Sequence, residues 1–452
     1  MRIATLTGRR TDFAHAPRTL GGSAVWLPGD RTRELLAAGA ILALVSVGLI
    51  GQVGVLLFFA GTAGVLAFRP LANGRELLRY APLLLLPLLA ILSTIWSDAP
   101  QRTMRAGLEL LLTFVAAIII CRNLRPSRLL LAMFIGFVAT ALTVVPAMPG
   151  SLAGQYPLTA YWGSKNSVGF VGYMVVALAL GVMFDRAQPW PARLAAVASV
   201  PLGLVVAVLA QSGGTTSTIL LTLLVFPPLA LLAAMKLPLR TVVIIFVLLL
   251  FGIACFFLQD INAAITDFRV NVLKKDATLT GRTYLWDFAD RLSAARPVLG
   301  YGYGAFWRQG NIDAEGLWRW GGIASRSGFN FHNAFVEMRV DTGVVGMSLL
   351  LLTCAAIGLI ALVRQAIAPS VALASLIGLT AVLYVRSYVE DGLIAPFSLS
   401  TVLWLATVVY ALSPKPLGDA PIQAAGGTLR TPRITGAKRP RRDATRRLRG
   451  FA

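Results

Sequence analysis

The sequence predicts an all-α polytopic membrane protein of about 12 transmembrane helices, with one large segment projecting from the bilayer between helices 9 and 10. Three observations carry this. Apolar residues fill 56% of the 452 positions and charged residues only 13%, whereas roughly a quarter of an ordinary soluble domain is charged. Apolar runs of about 20 residues, the length a bilayer core requires, recur along the chain. The short connections between them alternate between arginine-rich and arginine-poor, as expected of a chain that crosses back and forth with its basic loops held inside.

Residues 1–34 contain several arginines and His15 but no apolar core of signal-peptide length, so they read as a cytoplasmic tail and not as a cleaved leader. Spans are expected at 35–50, 53–69, 80–96, 104–121, 128–147, 166–184, 194–210, 216–235, 240–258, 333–363, 370–387 and 393–412. The first two are short and joined only by Gly51 and Gln52. The run at 333–363 exceeds one crossing, so its first turns are expected to leave the lipid. The organisation is therefore helices 1–9 over 35–258, a large outer loop over 259–332, helices 10–12 over 333–412, and a disordered basic tail over 413–452.

Sidedness follows from Arg69, Arg75 and Arg79; Arg122, Arg125 and Arg128; Arg186 and Arg193; Lys236 and Arg240; and Arg364, all in alternate connections. Both termini are then cytoplasmic. The terminal KRPRRDATRRLRG is explained by anionic lipid head groups beside the membrane, and no nucleic-acid partner is expected. Much of the formal charge of +21 reports topology. Cys121, Cys255 and Cys354 lie in or at the ends of apolar runs, which offers neither a disulfide framework nor a CxxC metal site.

The opposite face collects the 259–332 segment and the loops at 97–103, 148–165, 211–215 and 388–392. An uninterrupted loop of that length is usually functional, with structure of its own. It carries Trp286, Trp307, Trp318, Trp320, Tyr284, Tyr301, Tyr303 and Phe306, interleaved with Arg282, Arg291, Arg296, Arg308, Arg319 and Arg326. Aromatic faces stack on sugars and guanidinium forks pair with phosphate, so the cluster reads as a ligand surface; for any single Trp, an interfacial belt is the simpler explanation. In TLTGRTYLWDFADRL, Thr280 would cap a helix whose first turn holds Arg282, near backbone N–H groups that favour anions. The glycines of GYGYG at 300–304 permit a tight turn without making a phosphate loop.

Within GFNFHNAFVEMRVDTGVVG, Asn333, Glu337 and Asp341 recur every four residues and share one face. Carboxylates at membrane depth need a partner or water, so either this face lines a polar cleft or Glu337 and Asp341 form structural ion pairs. His332 opens the helix and is the sole histidine besides His15. It suits a general base at a wet cleft, or is a buried, hydrogen-bonded side chain. Lys165 and Asn166 begin another helix at the same surface, Arg102 and Arg105 follow WSDAP, and Arg386, Glu390 and Asp391 close a third. A cationic, histidine-bearing outer cleft suits an anionic lipid-linked substrate.

WSDAP at 96–100, GSKNSVG at 163–169, TGRTYLW at 280–286, RPVLGYGYGAF at 296–306 and HNAFVEMRVDTGVVG at 332–346 together resemble the O-antigen ligase and Wzy-type polysaccharide polymerase superfamily, in the branch of exopolysaccharide polymerases of Gram-negative bacteria. The resemblance implies a C-type glycosyltransferase-like fold in the bacterial inner membrane with its site facing the periplasm. It implies a glycan on undecaprenyl diphosphate as donor, a glycan acceptor, and further polysaccharide-assembly proteins as partners. His332 matches the family's proposed base and Arg282 an arginine that engages the donor diphosphate. Lys165, Asn166, Arg105, Asn333, Glu337, Trp286 and Tyr301 are the expected substrate contacts. Many ligases carry an arginine in a Ser-Arg-Gly motif where this chain has Gly213, which favours the polymerase branch and leaves Lys165 or Arg105 to supply the charge. With no Asp-x-Asp pair and no histidine cluster, neither a catalytic metal nor a cofactor is expected. The alternatives are a ligase moving glycan onto lipid A core or protein, and a polysaccharide transporter or flippase, whose charges would gather at the midplane instead.

Overall fold

A computed structural model describes residues 28–154, 156–162, 164–256 and 281–413. Most of the N-terminal tail, the 257–280 stretch with Thr280, the position of Gly163 and the basic tail beyond Ser413 lie outside the described residues.

Where apolar runs meet Pro or Gly breakers, helices begin and end. They are α1 (Pro28–Val45), α2 (Gln52–Phe68), α3 (Pro70–Arg79), α4 (Leu85–Leu92), α5 (Pro100–Asn123), α6 (Pro126–Val144), α7 (Lys165–Phe184), α8 (Trp190–Leu209), α9 (Gly213–Leu231) and α10 (Leu237–Phe256). Then come α11 (Arg282–Ala295), α12 (Ile312–Trp320), α13 (Ala334–Ile367), α14 (Val371–Ser387) and α15 (Leu399–Leu412). Helix covers each of the expected spans for most of its length, and no strand occurs among the described residues.

Six helices among the described residues are long and apolar enough to cross a membrane, or seven if α2 and α3, bent by 107° at Arg69, count as one broken span. Among the shorter apolar helices are α14 and α15. The 17 residues of α14 reach about 26 Å at 1.5 Å per residue, below the roughly 30 Å hydrocarbon core.

The bundle packs around α15, whose residues from Thr401 to Ala411 are all buried, with α5, α13 and α14 packed against it. In lipid such packing relies on close backbone approach and interhelical hydrogen bonds. A Cβ on Gly172 of α7 would stand 2.7 Å from the Gly203 carbonyl oxygen of α8, so this crossing admits nothing larger than hydrogen. Thr380 and Thr407 hydroxyls meet at 2.7 Å between α14 and α15, and the Trp404 indole donates to Tyr384 Oη at 2.9 Å. At the other end of α5, Arg122 pairs with Glu76 at 2.6 Å and donates to the Ser413 carbonyl at 2.8 Å.

The described part of the 259–332 segment has a core of its own: Leu285, Ala289, Leu292, Phe306, Ala314, Leu317, Trp318 and Phe331 cluster against Val340 of α13. This corrects the reading of Phe306 and Trp318 as part of a ligand surface, while Tyr284 and Trp320 stay exposed. Trp318 is 2% exposed and Phe331 fully buried, and Trp307 packs on Phe306, Trp318, Phe329 and Phe331. A small unit outside the main bundle needs large side chains to bury enough area, which is what these residues supply.

The long helix α13 is broken at Gly343, with φ 64° and ψ −161°. Strand-like bonds from the preceding segment occupy the break: Val344 N–H donates to the Pro297 carbonyl at 2.9 Å, Tyr301 N–H to Val340 O at 3.0 Å, and Gly302 N–H to Asp341 O at 2.8 Å. The glycines of 300–304 thus serve a close turn against α13. A Cβ on Gly300 would lie 2.5 Å from the Val340 carbonyl oxygen.

Candidate functional site

Glu390, three residues beyond the end of α14, is where the separate elements meet. Its Oε1 accepts from Arg282 Nη2 at 2.8 Å and from Asn166 Nδ2 at 3.2 Å, and its Oε2 faces His332 Nδ1 at 3.4 Å. Arg282 is the first residue of α11, Asn166 lies in the first turn of α7, and His332 stands just ahead of α13. Three of the residues singled out from sequence are therefore gathered by one carboxylate. Glu390 itself was read only as an outer-face charge. The signal that identifies it is an acidic residue closing an apolar helix one turn after Arg386, at a depth where charge persists only with partners.

Local structure holds each group in place. His332 has a positive φ of 51°, a left-handed backbone that costs a non-glycine residue energy and clusters at functional sites. The surroundings enforce it: His332 N–H donates to Asn330 Oδ1 at 2.8 Å, and the preceding Phe331 has its carbonyl bonded by Trp286 Nε1 at 2.9 Å and its N–H donated to Glu337 Oε2 at 3.0 Å. Trp286 also packs on Tyr388, ring centroids 5.4 Å apart. Asn333 caps α13, its Oδ1 accepting from Phe335 N and Val336 N at 3.0 and 3.1 Å. Asn166 is held from behind by Ser212 Oγ, which donates to its Oδ1 at 3.1 Å while capping α9. Gly213 follows directly, so the position where ligases carry an arginine borders this same cluster.

The electrostatics are those of a carboxylate outnumbered by cations. Burial alone would raise the Glu390 carboxyl, but the His332 hydrogen bond and the charges of Arg282 and Arg386 hold it below its usual value. Arg386 lies with its guanidinium 4.6 Å over the Phe170 ring. Next in the chain, Asp391 is raised by burial. It lines a cavity of about 200 Å³ together with Glu337, Asp341, Tyr303 and Gly304.

The remaining expected contacts sit elsewhere. Glu337 faces that cavity with its oxygens taken by Trp307 Nε1 at 2.8 Å and by Phe331 N, and Asp341 Oδ2 accepts from Gly304 N at 2.8 Å. Both are held by N–H donors and not by the ion pairs considered for them. Tyr301 donates to the Leu292 carbonyl at 3.3 Å and lies under Arg296, inside the fabric of the outer segment. Lys165 is exposed at the start of α7, beside Asn166. Arg105 is 81% exposed and pairs with Glu109 at 2.8 Å one turn along α5. It lines a separate groove with Met104, Leu108 and Leu112.

This arrangement can bind an anion through Arg282 and accept a proton at His332, with Glu390 connecting the two. The family model for O-Antigen ligase matches residues 198–351, a stretch that includes Ser212, Arg282 and His332. The exopolysaccharide production protein ExoQ of Rhizobium meliloti (strain 1021) is 30% identical over 325 residues, covering 70% of this chain and 73% of the relative.

Proposed function

The chain belongs to the O-antigen ligase family, and from that premise we propose that this multi-pass membrane protein polymerises lipid-linked oligosaccharide repeat units into exopolysaccharide or O-antigen. The relative's part in exopolysaccharide production supports the polymer. The single observation that carries the chemistry is the junction of Arg282 and His332 on Glu390, at 2.8 and 3.4 Å. One substrate can engage both groups.

In the proposed reaction, the donor is a glycan on undecaprenyl diphosphate and Arg282 binds its diphosphate, a bidentate fork matched to phosphate oxygens. The acceptor hydroxyl attacks the anomeric carbon as the bond from that carbon to the diphosphate oxygen breaks. The electron pair leaves with the diphosphate, whose growing charge Arg282 stabilises most where water is excluded. The hydroxyl proton passes to His332. Direct displacement inverts the anomeric centre. The reading includes 12 spans, cytoplasmic termini, and a site open to the periplasm in the bacterial inner membrane, with the short helices α14 and α15 completing crossings through their neighbouring loops. Lys165, exposed beside Asn166, is the better of the two expected sources of extra positive charge, since Arg105 is engaged with Glu109.

The test is purified protein reconstituted with undecaprenyl-diphosphate-linked repeat units, followed by the length of the glycan formed. Stepwise lengthening is expected, and His332→Ala should slow it by about 10²- to 10⁴-fold, the range of general-base assistance, with Arg282→Ala also severely impaired. Normal polymer from either variant would remove that residue from the mechanism. The description of the matched family model favours one second reading, a ligase: it would transfer preformed glycan to a lipid A core acceptor once, without lengthening.

A further inference from the structure

In the structure Arg282, the group that would bind the donor's diphosphate, is already occupied by an internal anion. Glu390 Oε1 sits 2.8 Å from Arg282 Nη2, with Asn166 adding a third contact at 3.2 Å, and the same carboxylate meets His332 through its other oxygen at 3.4 Å. The bond to Arg282 has the length of a strong charge-assisted pair, whereas the contact to His332 is long. A diphosphate oxygen has the same preference for the guanidinium as a carboxylate and carries more charge. It competes with Glu390 for the Nη2 N–H that the carboxylate holds.

Resting on the function proposed above, we propose that Glu390 is an exchangeable internal ligand that couples donor binding to activation of the base: the diphosphate displaces Glu390 from Arg282, and the released carboxylate closes on His332. The charges that bear on this exchange are Arg282 of α11, Arg386 of α14, Glu390 and Asp391 of the following loop, and His332 itself. Asn166 of α7 is the neutral partner. Once Arg282 turns to the diphosphate, Glu390 loses its strongest counter-charge and its negative charge falls on the imidazole. The carboxylate then orients the imidazole and offsets the positive charge that forms on it as the hydroxyl proton arrives. The base is thereby strengthened only when a donor is bound. No covalent bond changes in the exchange: an Arg282–diphosphate contact replaces the Arg282–Glu390 contact, the existing Glu390–His332 contact shortens, and the hydroxyl proton still ends on His332. Glu390 is a positioning residue on this account, since it acts through Arg282 and His332.

The test uses Glu390→Gln in the full-length purified protein. Calorimetric titration with inorganic diphosphate should give tighter binding by about tenfold, the worth of removing one competing charge-assisted contact. In the polymerisation assay the donor KM should fall and kcat should fall with it, and the acid limb of the kcat profile should move to lower pH. A purely structural Glu390 would instead weaken diphosphate binding and lower kcat without moving the limb, and either result overturns the proposal. Glu390→Asp, which keeps the charge but loses the reach to hold both partners, should change the same quantities in the same directions by smaller factors, and covers the case in which the amide variant does not fold. The binding arm is independent of turnover. If the wild type forms no glycosidic bond the polymerase reading fails, while tighter diphosphate binding by the variant still supports exchange.

Discussion

Glu390 brings together Arg282, Asn166 and His332, and its acid–base behaviour follows from that position. The folded-state carboxyl lies below its ordinary value of 4.5. A depressed carboxylate stabilises the fold in full above the unfolded value, and that contribution is lost as pH falls through the folded value. Melting temperatures in detergent should therefore differ most between wild type and Glu390→Gln above about pH 5, and the gap should narrow below pH 4.5. A gap constant over that range would mean that Glu390 does not carry its charge in the cluster. His332 and Arg282 were legible in the sequence because an isolated histidine and a first-turn arginine each have recognisable chemistry. Glu390 was not, because its significance is a distance. A carboxylate closing one helix gains meaning only when folding sets it against three others.

At the scale of elements, the break in α13 is the joint that aligns the outer segment with the bundle. Gly343 adopts φ 64°, and a Cβ there would lie 2.2 Å from the Val298 carbonyl oxygen. Gly343→Ala therefore combines backbone strain with a backbone clash, and should destabilise by about 3 kcal/mol or more. Gly358 lies in the same helix with nothing within 4 Å of its Cβ position, so Gly358→Ala should be neutral or stabilising by up to about 1 kcal/mol. Denaturation midpoints of the two variants in one detergent give the comparison, and equal losses would show that the break is not a constraint. The sequence shows α13 as a single long run, since hydropathy does not register one residue's dihedral. Likewise the outer aromatics carry the composition of a sugar-binding surface and of a small core alike. Trp318 and Phe331 belong to the core because the unit has little other apolar material to bury. On the outward side, Tyr284 and Trp320 remain, stacked at 4.7 Å between centroids.

For the whole molecule, the mechanism depends on which side of the membrane the Glu390 cluster faces. Helix positions were legible from apolar runs, although among the described residues only six helices, or seven with α2 and α3 as one broken span, are long and apolar enough to cross a membrane. Sidedness rests on a different quantity, the arginine bias of alternate loops, and on the proposed function it decides where the lipid-linked donor would be presented. The outer segment provides a test that leaves the site untouched. Ile312 opens α12 and is 82% exposed, while Cys121 and Cys354 are buried. Ile312→Cys, in a background with the three native cysteines replaced by serine or alanine, should react with a membrane-impermeant maleimide in intact cells whose outer membrane has been permeabilised. A cysteine placed at Arg75, exposed on α3 in a connection read as cytoplasmic, should react only after the inner membrane is opened. The reverse pattern would turn the Arg282–His332–Glu390 cluster toward the cytosol. There an acceptor hydroxyl would meet no exported donor, and the same three residues would have to be explained as a structural ion-pair network.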